Sequence, residues 1–452
     1  NAALEEDRHQ DVLDSLRAMQ EIQRHNGEAG CHRFILSNCA GALDIAILHA
    51  MVKASGWEGP MTLDLVPLFE SIHDLDGAKA EMAKLYTHPV YAGHLDKRAG
   101  DQTVMLGFSD GTKDGGYLRA NWAIYRAKQS LTDISREHGR TVMFFDGRGG
   151  PPARGGGNTH RFYASLGRDI ENREIQTTIQ GQTISSNFGI PKSAGFNLEL
   201  LFTAGVKNRL FDEEETQISE ADAALLDELG ESSHAHYLAL RNRPEFTEYL
   251  ATFGTLKYYG ATNIGSRPTS RAKDGAINFG DLRAIPFVGS WSQLKQNVPG
   301  YFGLGTALEA LDREGRLEEA AGLYRRNAFF RTLVENSMQS MTKCDFRLTA
   351  HLSDHPTFGG LWNTVHEEFE RTRVLVLAIT GQADLMEIVP AIKESIRLRD
   401  SIIQPLLVIQ QFALTEMDRQ RRGEASSWSP DMLRKLIIRT MYGIVNASRN
   451  AV

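Results

Sequence analysis

Short apolar runs punctuate the first two-thirds of the chain. Each ends in a polar or glycine-bearing turn, and helical sequence follows. The runs are Arg33-Phe34-Ile35-Leu36-Ser37, Leu63 to Phe69, Thr103 to Phe108, Thr141 to Phe145 and Ile175 to Ile179, with a weaker one from Arg283 to Val288. They are nearly continuous rather than alternating, as strands buried on both faces of a parallel sheet are. Between them lie helical stretches; in Gly116 to Leu131, Leu118, Trp122 and Tyr125 share one face. Strands alternating with helices predict an α/β architecture.

Beyond about residue 305 the pattern changes to helix upon helix. Leu308, Leu311, Leu317 and Leu323 mark one stretch. Met386 to Arg421 reads as a long amphipathic helix broken once, at Pro405. A last helix starts with Ser429 as cap, Pro430 at its first position and Asp431 in its first turn. Its apolar stripe is Leu433, Leu436, Ile437 and Ile444. The pattern therefore predicts an α/β part over 1–305 and an all-α domain over 306–452.

Composition narrows the class. Of 452 residues, 41% are hydrophobic and 24% charged, which excludes a disordered chain or a fibre. The net charge of −7 argues against a nucleic-acid binder. Cys31, Cys39 and Cys344 form neither a disulfide framework nor a metal-ligand spacing, so a reducing, cytoplasmic setting is expected. No stretch reads as a membrane span; the nearest, Phe34 to Val52, carries Asn38, Asp44 and His49. The chain opens at Asn1, within helical sequence and without a signal peptide, which reads as a fragment or a processed chain.

Candidate chemistry concentrates in a few turns. Residues 147–157 hold six glycines and two arginines, Arg148 and Arg154, directly after the apolar run at 141–145. Glycines let backbone approach a ligand, and guanidinium groups bind phosphate or carboxylate bidentately. A mobile lid over an anion fits this segment; a flexible linker or an Arg-Gly-Gly RNA-binding segment are the alternatives. Glu70 and Asp110 each follow an apolar run. Two carboxylates at strand ends, with arginines nearby, suit a hard divalent cation, although each would equally serve as a helix cap. Lys113 reads as an anion contact or as part of a solvated turn. Arg267, Arg271 and Arg283 form a further basic cluster, whose alternative is surface salt bridging.

Taken together these segments resemble phosphoenolpyruvate carboxylase, over nearly the whole chain and corresponding to the C-terminal half of that enzyme. The residues that carry the resemblance are Pro67-Leu68-Phe69-Glu70, Gly107-Phe108-Ser109-Asp110 through Gly115, and the glycine loop. Asn263 to Pro268, Leu282 to Pro286 and Ser448-Arg449-Asn450 complete the series.

The resemblance implies a (β/α)8 TIM-type barrel, incomplete in this chain, followed by the helical domain. It implies a lyase that carboxylates phosphoenolpyruvate with bicarbonate to oxaloacetate and phosphate, through carboxyphosphate and the pyruvate enolate. Glu70 and Asp110 would hold Mg²⁺ or Mn²⁺. Arg148, Arg154 and Lys113 would act catalytically, and Arg267 and Arg283 would bind substrate phosphate. Arg154, Lys343, Arg399 and Asn450 match an inhibitory site for aspartate or malate. The full-length enzyme would be a cytoplasmic homotetramer with no membrane or nucleic-acid partner. Three positions depart from the family: Asp146 stands where it has histidine, Ala153 where it has glycine, and the chain ends Asn450-Ala451-Val452. The family's catalytic histidine lies in the N-terminal half. The competing expectation is a truncated chain that binds anions or regulates without turnover.

Overall fold

Five of the six apolar runs are strands. The computed structural model describes residues 2–211, 214–262 and 279–448. Its strands are β1 (Arg33–Leu36), β2 (Asp64–Phe69), β3 (Asp101–Leu106), β4 (Thr141–Asp146) and β5 (Ile175–Thr177). They pair in sequence order, all in parallel, into one five-stranded sheet. Val66, Val104, Leu106 and Val142 are at most 1% exposed, as apolar runs without alternation require. The helices Ala42–Ala54, Ile72–Thr87, Pro89–Lys97 and Tyr117–Glu137 lie between successive strands in the chain. This is the parallel, helix-separated arrangement of an α/β fold.

The sheet lies wholly within one compact unit, formed by Asn1–Gly107, Ala123–Gly147 and Arg168–Thr177. A second unit comprises Phe108–Trp122, Arg148–Gly167 and Thr178–Val452, and among its described residues every regular element is a helix. One core cluster of this unit is rich in aromatic residues, among them Phe246, Tyr249, Phe253, Phe287, Trp291, Phe358 and Trp362.

The sixth run, Arg283 to Val288, is not a strand. Ala284–Gln293 is an α-helix with Arg283 as its N-cap. A short apolar run is ambiguous between strand and buried helix; the spacing beyond it decides. Phe287, Trp291 and Leu294, all 0% exposed, recur at helical intervals, and Pro286 falls in the first turn, where its missing N–H costs nothing.

Nor does Pro405 break its helix, which runs continuously over Pro390–Arg421. An interior proline costs about 3 kcal/mol. Packing opposes that cost: Ile403 and Leu407 cluster with Ile444, and Ala413 and Leu414 with Leu433, Ile437 and Met441. Those partners come from the last helix, Pro430–Ser448, which the Ser429 hydroxyl caps by accepting from Met432 N at 3.2 Å.

Candidate functional site

In the first unit, the C-terminal ends of β2, β3 and β4 come close because glycines follow them. Gly107 N donates to Phe69 O and Gly147 N to Leu106 O, both at 2.9 Å. A Cβ on Gly107 would stand 3.0 Å from Glu70 Cα, and one on Gly147 2.9 Å from Leu106 O. Glu70 is the first residue past β2. The cap of the next helix is Ser71, in a reciprocal box with Asp74, so Glu70 is not that cap. Asp110 belongs to the second unit, in the first turn of helix Phe108–Gly115. Phe108, read above as the end of a strand, starts that helix.

Asp146 ends β4, in register with Leu106 on one side and Thr177 on the other. It is 1% exposed, and Lys128, 2% exposed, meets it from helix Tyr117–Glu137. The Lys128 ammonium lies 2.8 Å from Oδ1, donates to Oδ2 at 2.9 Å, and sits 4.5 Å from the Phe144 ring centre. A carboxylate buried this deeply requires such a partner. The sequence reading missed Lys128. Its signal was a lysine on the buried stripe formed by Ile124, Leu131 and Ser135.

In the second unit the glycine segment is compact. Pro152–Arg154 forms one 3₁₀ turn, closed by Arg154 N to Pro151 O at 2.9 Å and Gly156 N to Pro151 O at 3.0 Å. The glycines serve close approach. A Cβ on Gly156 would meet Gly149 O at 2.1 Å, and one on Gly155 would meet Phe108 Cβ at 2.7 Å. Gly155 also has φ +71°, where a side chain is strained.

This packing buries both arginines. Arg148 is 3% exposed, with its guanidinium carbon 4.2 Å from the ring centre of Phe162, 5.5 Å from Phe108 and 5.8 Å from Tyr163. Its Nε donates to Gly155 O at 3.4 Å, but Nη1 and Nη2 have no hydrogen-bond partner. Arg154 is 4% exposed; Nη2 donates to Gln180 Oε1 at 3.0 Å, while Nε and Nη1 have no partner. Burial pushes its pKa down to about 10, opposed by the nearby Asp110. Four donor nitrogens on two buried cations thus have no hydrogen-bond partner among the described residues.

Arg154 also lines a small cavity with Lys343, Asn297 and Ser340, of about 20 Å³. Lys343 is pushed down to about 8, first by burial and then by the neighbouring Lys295 and Arg399. The cavity therefore holds two of the four residues matched to the inhibitory site, Arg154 and Lys343, and Arg399 acts on Lys343 electrostatically; Asn450 lies outside the described residues, as do Arg267 and Arg271. Lys113 is engaged elsewhere. It donates to Leu282 O at 2.7 Å and sits 5.0 Å from the Phe279 ring centre, beside the segment that carries Arg283.

Among the described residues no group of three or more His, Cys, Asp or Glu side chains gathers as a metal cluster, and no helix is long and apolar enough to cross a membrane. The sequence profile of the phosphoenolpyruvate carboxylase family matches residues 2–451. This chain belongs to that family. Similar proteins, each named phosphoenolpyruvate carboxylase, include one from Corynebacterium diphtheriae, 36% identical across 96% of this chain and 48% of its own length. Another, from Chromobacterium violaceum, is 35% identical across 90% of this chain and 46% of its own length. A third, from Rhodothermus marinus, is 34% identical across 86% and 42%. The chain spans about half the length of these phosphoenolpyruvate carboxylases. Against the family pattern, Asp146 has its charge matched by Lys128, and Ala153 buries its methyl group in the aromatic core cluster.

Proposed function

We propose that this chain supplies the C-terminal part of a phosphoenolpyruvate carboxylase active site, within a (β/α)8-type barrel followed by an all-helical domain from residue 306. The observation that carries this reading is Arg148: a buried guanidinium with two unpartnered nitrogens costs free energy unless an anion completes it. Arg148 and Arg154 would bind the phosphoryl and carboxylate groups, and Arg283 and Arg267 would add charge to the substrate phosphate. Phe108, Phe162 and Tyr163 keep the Arg148 site apolar, which strengthens its pull on an anion.

In the reaction, a bicarbonate oxygen attacks phosphorus and the P–O bond to the enol breaks, leaving carboxyphosphate and pyruvate enolate. Carboxyphosphate separates into CO₂ and phosphate, and the enolate carbon attacks CO₂ to form oxaloacetate. The arginines hold the transferring charge, and the packed loop excludes the water that would protonate the enolate. Mg²⁺ or Mn²⁺, held by Glu70 and Asp110, would supply Lewis-acid stabilisation of the enolate oxygen. Two carboxylates fit such an ion, because Mg²⁺ usually takes one or two and completes its shell with water and substrate oxygens. Lys113, bonded to Leu282 O, would act by fixing the segment that carries Arg283 rather than as a free cation.

The same reading carries a cytoplasmic homotetramer for the full-length enzyme, and inhibition by aspartate or malate at Arg154, Lys343, Arg399 and Asn450. A second reading, in which the chain binds anions without turnover, rests on the same unpartnered nitrogens of Arg148 and Arg154. The test is a coupled malate-dehydrogenase assay of the chain alone and with a relative's N-terminal half added, alongside calorimetry of phosphoenolpyruvate and Mn²⁺ binding. Binding of both ligands, with oxaloacetate formed only when the complementary half is present, is expected. Binding without turnover in either case selects the second reading, and absence of phosphoenolpyruvate binding overturns the first.

A further inference from the structure

Next to the Arg154–Lys343 cavity, the chain takes two left-handed steps at residues that are not glycine. Lys295 has φ 56° and Asn297 φ 41°. Such residues cost about 1–3 kcal/mol each and persist where their surroundings over-determine them. Here Gln296 N and Asn297 N both donate to Trp291 O, at 3.1 and 3.2 Å, and Gly300 N donates to Asn297 O at 3.0 Å. The consequence is a division of side chains. Asn297 lines the cavity with Arg154 and Lys343, whereas Lys295 lines a cleft of about 850 Å³ with Asp400 and Cys344, the residue after Lys343. The cavity has room for about one water molecule, whereas the cleft is large enough for an organic dianion.

The charges around that cleft do not balance. Arg347 pairs with Asp345, Arg397 with Glu394, and Lys393 with Asp384. Lys295, whose side chain is 3% exposed, pairs with Asp400 at 2.8 Å, and Asp400 faces the cleft at 29% exposure. Lys343 and Arg399 have no carboxylate partner among the described residues; Arg399 bonds only the Ser395 hydroxyl of its own helix. Lys295 and Lys343 therefore both feel the Asp400 carboxylate, which lines the cleft, whereas Arg399 has no carboxylate of its own among the described residues. The depressed pKa of Lys343 has the same cause, with Lys295 and Arg399 lowering it and Asp400 raising it.

We propose that Asp400 is a built-in competitor of the dicarboxylate effector: it occupies Lys295, and the effector binds by replacing it there. Lys295 thereby joins Arg154, Lys343 and Arg399 as an effector-binding cation, and Asp400 sets how much effector is needed. This rests on the inhibitory-site reading above, and the experiment separates the two.

L-malate is titrated calorimetrically into the 452-residue chain and into Lys343→Met, Asp400→Asn, Lys295→Met and the double variant Lys295→Met/Asp400→Asn. Lys343→Met should weaken binding about tenfold or more, the loss of one desolvated charge contact. Asp400→Asn should tighten it, also by about tenfold. Should the unpaired Lys295 of that variant impair folding, the double variant still reads the effect: it should bind malate more tightly than Lys295→Met alone. Wild-type chain that does not bind malate, or binding unaffected by Lys343→Met, would overturn the inhibitory-site reading and this proposal with it. Binding that depends on Lys343 but is unchanged or weakened when Asp400 is removed in both backgrounds would overturn the proposal and leave that reading standing.

Discussion

Two sets of deeply buried charges lie only a few residues apart in sequence and are treated in opposite ways. At the end of β4, Lys128 and Asp146 neutralise each other in contacts of 2.8 and 2.9 Å. In the loop that follows, Arg148 and Arg154 are buried just as deeply and leave four donor nitrogens without partners. Burial penalises both sets equally, so it does not separate them. What separates them is completion. The first pair is matched in charge within the chain; the second has no such match among the described residues, and on the function proposed above a bound anion would complete it.

That contrast is open to attack at several points. The largest effect is expected from Asp146→Ala, which strands the Lys128 ammonium in the interior. Breaking a buried pair from one side costs about 3–5 kcal/mol, and the midpoint of urea unfolding should fall accordingly. Lys128→Met/Asp146→Leu should recover most of the loss, since an apolar pair of similar volume is often as stable. A double variant no more stable than Asp146→Ala would show that the pair is not the unit described here.

Next comes Gly156→Ala. Its Cβ would meet the Gly149 and Gly150 carbonyl oxygens at 2.1 and 2.4 Å, so the loop must open. Overpacking of this kind costs about 1–3 kcal/mol. Phosphate binding should weaken at the same time, because both arginines depend on the turn. A variant with unchanged stability and unchanged phosphate affinity would return the segment to the status of a mobile linker.

Arg148→Met should do the reverse of the Asp146 change. Its methylene and sulfur keep the contact with Phe162 and remove two unsatisfied donors, so stability should change by no more than about 1 kcal/mol. Calorimetry should nevertheless show at least a tenfold loss of phosphoenolpyruvate affinity. A large destabilisation with affinity retained would place Arg148 with the structural set.

A further effect concerns pH. Lys343 ordinarily titrates near 10.5 and is pushed down to about 8 in the folded chain. Between those values the unfolded chain holds the proton and the folded one has released it. Stability attributable to Lys343 therefore rises with pH across that window, having been reduced below it. Unfolding midpoints of wild type minus Lys343→Met, measured at pH 8 and pH 10, should show the rise; a flat difference would remove Lys343 from the buried cationic cluster.

Much of this was legible along the chain. Five apolar runs without alternation correspond to five parallel strands, and Ser429-Pro430-Asp431 marks the start of the last helix. Arg148 and Arg154 stood out as the cationic residues of a glycine-rich turn. The errors share one origin. A six-residue apolar run looks the same in a strand as in the first turns of a buried helix, and only Trp291 and Leu294 further on resolve Ala284–Gln293. Pro405 signals a break in any isolated helix, but neighbouring side chains hold this one together. For the glycines of residues 149–156, composition reports what a backbone can do, and only the structure shows that a Cβ on Gly156 would stand 2.1 Å from Gly149 O.

Local chemistry is what the sequence by itself determined: which segments can be strands, where helices begin, and which short turns concentrate charge. These follow from side-chain periodicity and backbone preference, which act over a few residues and need no partner. Only the tertiary structure decided how each charge is matched. Lys128 is eighteen positions from Asp146, and Lys295 is 105 from Asp400. Whether a buried charge is satisfied depends on what lies within about 3 Å of it, and no pattern along the chain specifies that distance. The same holds for Arg148, whose residue type was evident from the start and whose unmet hydrogen bonds appeared only once Phe108, Phe162 and Tyr163 had closed around it.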